Sequence, residues 1–168
     1  MTGLRLLSLS TLILVISSCG FSLRGSDSLS ANFSNLQLFS EQPNSEFSRL
    51  LRRSLDSADV IITDVDAVDA DASFPTLGIA NEQLVSRPIT INPRARAAQI
   101  ELRLSVDLAL MQGEQAVIAP ETLFVERVYF QDIENINGNQ EEAEIISAEM
   151  RRELSNQILR RLAAVGPI

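Results

Sequence analysis

The sequence predicts an α+β two-layer sandwich, with two amphipathic helices packed on one face of a mostly antiparallel sheet of about four strands. Three observations carry this. In residues 100–110, IELRLSVDLAL, the side chains of Ile100, Leu102, Leu104, Val106, Leu108 and Leu110 fall on one side, and Glu101, Arg103, Ser105 and Asp107 on the other. That period of two is the signature of a long, half-buried antiparallel strand. Phe47, Leu50, Leu51, Leu55 and Ala58 recur at helical spacing, and Ile146, Met150, Leu154, Ile158 and Leu162 repeat every fourth residue. Two apolar helix stripes and one apolar strand face bury one another most economically when both helices lie on the same side of the sheet, which leaves the opposite side free.

The chain opens with a leader, residues 1–18. Arg5 is followed by the apolar run Leu6 to Ile16 and by Ser17 and Ser18, the order of charged, apolar and small-residue regions found in an export signal. The apolar run has 11 residues, whereas a membrane-crossing helix needs roughly 20. Ile16-Ser17-Ser18-Cys19 resembles the bacterial lipobox, so Cys19, the single cysteine, is the expected site of a covalent lipid and the new N-terminus. One acyl chain holds a protein only marginally and two or three hold it stably, so the mature chain is expected to stay on a membrane. Lipoproteins kept at the inner membrane tend to carry aspartate after the cysteine; here the residue is Gly20, and the expected location is the inner leaflet of the outer membrane.

The mature chain divides into a lipidated N-terminus and Ser/Asp/Asn-rich tether, 19–34, and a single domain, 35–168. Leu36 and Leu38, flanked by Phe33 and Phe39, read as a short strand. Pro43-Asn44-Ser45 is a turn ending in a helix N-cap, and the helix that follows turns Arg49, Arg52 and Arg53 away from its apolar stripe. Val60 to Thr63 is a second short strand. It runs into Asp64, Asp66, Asp69 and Asp71, which read as a solvated acidic loop: the EF-hand pattern would need glycine at Asp69 and glutamate at Pro75. No metal site is expected. Thr76 to Val85 is a third strand. Residues 86–99, SRPITINPRARAAQ, hold Arg87, Arg94 and Arg96 with no acid between Glu82 and Glu101. Pro88 and Pro93 remove backbone donors, so this basic stretch is expected to be a loop or a sheet edge.

After the alternating strand, Gln112-Gly113-Glu114 supplies a turn and residues 115–130 return as the hairpin partner. In that partner Phe124, Val128 and Phe130 share one face, and Leu123, Val125 and Tyr129 the other. Apolar groups on both faces imply cover on both sides or a patch reserved for a partner. Asn139 with Glu142 reads as a capping-box variant that opens the final helix, which runs to about Ala164. Glu141, Glu142 and Glu144 lie at its positive end and Arg160 and Arg161 at its negative end, where they stabilise the helix dipole.

Composition removes several functions. The 14 basic residues are all arginine; Arg5 falls in the leader, and the remaining 13 against 22 acids leave the mature chain at −9. Affinity for nucleic acid is not expected, and any anion site must be a local cluster. Histidine is absent, which excludes Ser-His-Asp and Cys-His nucleophile systems, histidine metal sites and a histidine pH switch. An envelope hydrolase with paired carboxylates and a free-standing structural lipoprotein stand as alternatives to a non-enzymatic partner subunit.

The string Cys19-Gly20-Phe21-Ser22-Leu23-Arg24-Gly25 resembles the opening of the LptE family of lipopolysaccharide-assembly lipoproteins. The likeness continues through Pro43-Asn44, the strand 100–110, the hairpin ending Arg127-Val128-Tyr129-Phe130 and the final helix with Glu149-Met150. The resemblance implies a non-enzymatic plug in the lumen of the outer-membrane barrel LptD, one to one, supporting barrel assembly and delivery of lipopolysaccharide. It implies no cofactor beyond the lipid on Cys19. Gly20, Phe21, Leu23 and Arg24 are expected beside the membrane or the barrel, with Arg24 on a lipid phosphate or a barrel carboxylate and the apolar pair Phe21 and Leu23 either embedded there or packed on the domain's own surface. The family's lipopolysaccharide-binding basic residues lie near the sheet tip. The expected counterparts here are Arg87, Arg94 and Arg96, whose guanidinium groups suit phosphate or could instead dock on acidic residues of the barrel; where some relatives carry a lysine before the last helix, this chain has Asn139.

Overall fold

The computed structural model describes residues 27–66, 70–91, 97–132 and 136–166. In chain order these form α1 (Asp27–Asn32), β1 (Asn35–Ser40), α2 (Glu46–Asp56), β2 (Ile61–Asp64), β3 (Pro75–Ile91), β4 (Ala97–Gln112), β5 (Gln115–Phe130) and α3 (Ile136–Ala164). The strands make one sheet in the order β2-β1-β3-β4-β5. β1 is parallel to both β2 and β3, and the β3-β4-β5 meander is antiparallel. The sheet thus has five strands, not about four. The four-residue β2 is a full member because α2 returns the chain to lie parallel beside β1, with Asn35 opposite Ile61 and Leu38 opposite Asp64.

Local chemistry explains the elements. The Ser45 hydroxyl accepts the Ser48 N–H at 2.9 Å and caps α2, satisfying a donor that no helical carbonyl can reach. Phe47, Leu51 and Leu55 then point inward and are fully buried. In α3 the repeat Met150, Leu154, Ile158, Leu162 is wholly buried. A strict step of four overshoots the helical turn by about 40°, so the stripe winds around the helix. α3 accordingly touches β4, β5, α2 and α1. These side chains meet Ile100 to Leu110 of β4 and Leu123, Val125 and Tyr129 of β5 in one core, at about 1.5–3 kcal/mol of burial for each large apolar group.

Three sequence expectations change. Residues 27–32, within the stretch read as tether, are the helix α1. Leu29 and Phe33 are each 2% exposed, and Asn32 Nδ2 donates to the Val165 carbonyl at 2.6 Å, so apolar anchoring overrides the polar composition. The basic stretch begins as strand, not loop: β3 continues to Ile91 and pairs with β4 as far as Ile91 opposite Ala97. The edge reading holds, because β1 pairs with β3 only from Thr76 to Ile79 and leaves the rest of β3 open on that side. Pro88 sits on that open stretch beside a register shift, where a proline is tolerated. Last, α3 starts at Ile136, one turn before the expected cap. Asn139 lies inside the helix and is buried; its side chain accepts Asp132 N–H at 2.9 Å and donates to the Asp132 carbonyl at 2.5 Å. It clasps the incoming chain instead of capping the helix.

Gly113 takes φ 57° in the two-residue turn joining β4 and β5, a conformation that glycine adopts without strain. Register shifts lie at neighbouring levels of the sheet: between Ala80 and Gln83 in β3, opposite Asp107 and Ser105, where Asn81 has φ 50°, and between Leu108 and Met111 in β4 against β5, with others near the β3 end between Pro88 and Ile91. Beyond that crease β3, β4 and β5 continue as a three-stranded arm.

Candidate functional site: the open sheet face and its arm

On one side of the arm α3 packs over β4 and β5, while Leu84 of β3 on that side stays 44% exposed. On the other, alternation places Val85 and Arg87 of β3, Glu101, Arg103, Ser105 and Asp107 of β4, and Phe124, Glu126, Val128 and Phe130 of β5 on one surface. Its charges are paired across strands. Arg87 Nε donates to Glu101 Oε1 at 2.7 Å, and this contact raises the guanidinium pKa above its ordinary value. Arg103 Nη1 donates to Glu126 Oε1 at 2.6 Å while its guanidinium carbon stands 4.0 Å from the Phe124 ring centroid, within cation–π range. Asp107 accepts Thr122 Oγ1–H and an Asn81 Nδ2–H, each at 2.6 Å, and the two bonds, Thr122 first, hold its carboxyl below the usual value.

The apolar groups on this surface are not paired away. Val85 is 47%, Phe124 45%, Val128 50% and Phe130 72% exposed. A patch of exposed aromatic and branched side chains among neutralised charges is suited to burial against another surface. Such pairs carry their counter-charge with them, so covering them strands no lone ion.

Of the sequence-nominated residues, the described structure places Arg87 on this face, two strand positions from Val85. Arg94 and Arg96 lie outside the described residues, as do Cys19, Gly20, Phe21, Leu23 and Arg24. The arginines of the α3 end are engaged: Arg160 with Glu153 and Arg161 with Glu121, each at 3.2 Å. In the acidic stretch, Asp64 pairs with Arg52 and Asp71 Oδ1 accepts the Ser73 N–H at 2.9 Å. Sequence reasoning missed the Arg103–Phe124–Glu126 group. Alternation puts Arg103 and Phe124 on the outward side, but the pairing of Arg103 with Glu126 depends on the register shifts between β4 and β5.

A five-stranded sheet with helices on one side and a paired-charge, aromatic-bearing surface on the other defines a helix-on-sheet protein with one sheet face open. The family model LptE, described as Lipopolysaccharide-assembly, matches residues 33–162, and the chain belongs to that family. Relatives named LPS-assembly lipoprotein LptE include one from Yersinia pestis (strain Pestoides F), 31% identical over 154 residues that cover 91% of this chain and 72% of that protein. Another, from Pectobacterium atrosepticum, is 29% identical over 155 residues, covering 92% and 82%. Among solved structures, the rare lipoprotein B from Shewanella oneidensis superposes with a TM-score of 0.67 at 27% identity, covering 77% of this chain and 94% of that one. Lipoprotein B from Nitrosomonas europaea, at 21% identity, shares the fold with a TM-score of 0.65 and covers 86% and 91%. The protein is therefore a lipopolysaccharide-assembly lipoprotein and not an enzyme.

Proposed function

We propose that this chain is an outer-membrane lipoprotein, held in the inner leaflet by lipid on Cys19 and needing no other cofactor, whose domain enters the lumen of an LptD-type β-barrel as a plug. There it supports barrel assembly and helps carry lipopolysaccharide to the cell surface. The observation that carries this reading is the open sheet face, where Val85, Phe124, Val128 and Phe130 are exposed among charges already paired within the chain. A surrounding barrel wall supplies the cover that this chain's helices give only to the other side. Among the described residues no helix is long and apolar enough to cross a membrane, and lipid on Cys19 is the attachment this reading assigns. Arg87, with Arg94 and Arg96, is assigned to lipopolysaccharide phosphates. Arg87 is 63% exposed while its partner Glu101 is 14% exposed, so the guanidinium can turn a second edge to a phosphate without leaving the carboxylate.

Purification from outer membranes in mild detergent through a tag placed after Ile168 tests the plug. A large β-barrel recovered in equal amount supports it; recovery of the lipoprotein alone overturns it in favour of a free-standing envelope lipoprotein. Lipopolysaccharide binding by an Arg87→Ala/Arg94→Ala/Arg96→Ala variant, with barrel recovery checked alongside, tests the arginines. Unchanged lipopolysaccharide binding would assign them to the barrel wall instead.

A further inference from the structure

We propose that Phe21-Ser22-Leu23-Arg24 docks on this chain's own sheet, at the end where β1 and β2 begin, and so sets which end of the domain faces the bilayer. Gln37, only 4% exposed, draws the segment after the acidic stretch across the outward face. Its Nε2 donates to the Asp71 carbonyl and its Oε1 accepts the Asp71 N–H, both at 2.8 Å. Between that segment and strands β1 and β2 lies a cleft of about 240 Å³, lined by Asn35, Gln37, Thr63, Val65, Asp71 and Phe74 among others. Phe74 is 41% exposed at its wall. Ile61, opposite Asn35 on the same face, is 64% exposed. The Asp71 carboxylate stands at the rim, outside the core.

The occupant follows from reach and chemistry. The Ser34 carbonyl accepts the Ile61 N–H at 3.1 Å, so the chain enters the sheet beside this cleft. α1, about 9 Å long over its six residues, packs against α3 on the helix-covered side, so the string must pass around the end of the sheet to reach this cleft. The six steps from Asp27 back to Phe21 span roughly 20 Å when extended, against about 10 Å for one packed layer. In an extended string Phe21 and Leu23 share one side, matching Ile61 and Phe74, and Arg24 is the only cation between Arg5 and Arg49, matching Asp71. A second folded protein is a poorer fit, because a stable interface buries about 800 Å² per partner and this cleft offers one exposed apolar side chain, Phe74, with Ile61 beside it on the same face.

The consequence is orientation. Cys19 precedes Phe21 by two residues, so a docked string holds its lipid within about 7 Å of the cleft. The sheet end bearing Asn35, Ile61 and the Gly113 turn then faces the bilayer, and the arm with Arg87 points away. The orientation rests on the lipid proposed for Cys19; the docking does not.

Full-length chain carrying Leu23→Cys/Thr63→Cys, oxidised in its membrane, tests the contact. Leu23→Cys/Ser105→Cys is the distance control, and the Leu23→Cys single variant scores any free Cys19 thiol. The expected result is at least a fivefold higher intramolecular disulfide yield for the first pair, falling threefold or more when Asp71→Arg is added. Leu23→Cys/Asn35→Cys serves as a second pair should Thr63→Cys fail to accumulate. Equal yields for near and distant pairs, indifference to Asp71→Arg, or cross-linking of Thr63→Cys to a separate protein would overturn the proposal. Barrel recovery from the same membranes reports on the plug separately.

Discussion

Asn139 shows what a single side chain contributes. Its position before an acidic, helix-forming run marks it as a terminus residue, and its neighbourhood in the sequence is that of a cap. The partner it chooses, the backbone of Asp132, could not be read, because a cap and a clasp use the same amide chemistry and differ only in the path of the chain before the helix. Asn139→Ala would strand a buried donor and acceptor, and the expected loss is about 1–3 kcal/mol, read as a lower denaturant midpoint with an unchanged slope. Ser45, by contrast, was legible outright, since a serine between a proline turn and an apolar stripe has one common use. Asp107 gives a pH signature. Its carboxyl is held below its ordinary 3.8 by Thr122 and Asn81, so the stability it confers is complete above the unfolded value and is lost as pH falls through the lowered folded one. Thermal midpoints followed downward from about pH 5 should therefore fall less steeply in Asp107→Asn than in the parent.

α3 and the β4–β5 hairpin stand at opposite ends of legibility. The every-fourth-residue stripe of α3 was plain, and its four members from Met150 onward are fully buried. Leu154→Ala should cost about 2–5 kcal/mol, measured by equilibrium unfolding, whereas a loss under 1 kcal/mol would mean that the stripe is not packed as described. The hairpin's existence, turn and length were equally plain, but its pairing was not. Continuing from Gln112 opposite Gln115 without a break would set Arg103 opposite Phe124. Two shifts between Leu108 and Met111 set it opposite Glu126 instead. Bulges of this kind arise from twist and packing across the sheet, which alternation within one strand does not encode. The extension of β3 through Pro88 was missed for a related reason: an edge tolerates what a central strand forbids.

For the molecule as a whole, the decisive property is asymmetry of cover. One side of the sheet holds the entire core, and the other presents Phe124, Val128 and Phe130 among paired charges. Replacing all three with threonine keeps strand propensity and removes the apolar contact. Each such surface change alters stability by about 0.5 kcal/mol or less, with the loss of the Arg103 contact to Phe124 adding about 0.5–1 kcal/mol. The isolated fold should persist in circular dichroism, and barrel recovery should drop at least fivefold; recovery at the parental level would place the partner contact elsewhere. The crease where β3 leaves β1 has a mechanical meaning. From Gln83 to Ile91 the arm reaches roughly 27 Å, so a bend at the bulge near Asn81 would act over a long lever. Spin-label distances between Ser57 on α2 and Thr90 on β3, free and partner-bound, would measure its swing. Ten degrees at the bulge would move the far end by about 5 Å over that length, so an unchanged distance between free and bound states would mean that the tip is carried rigidly by the base.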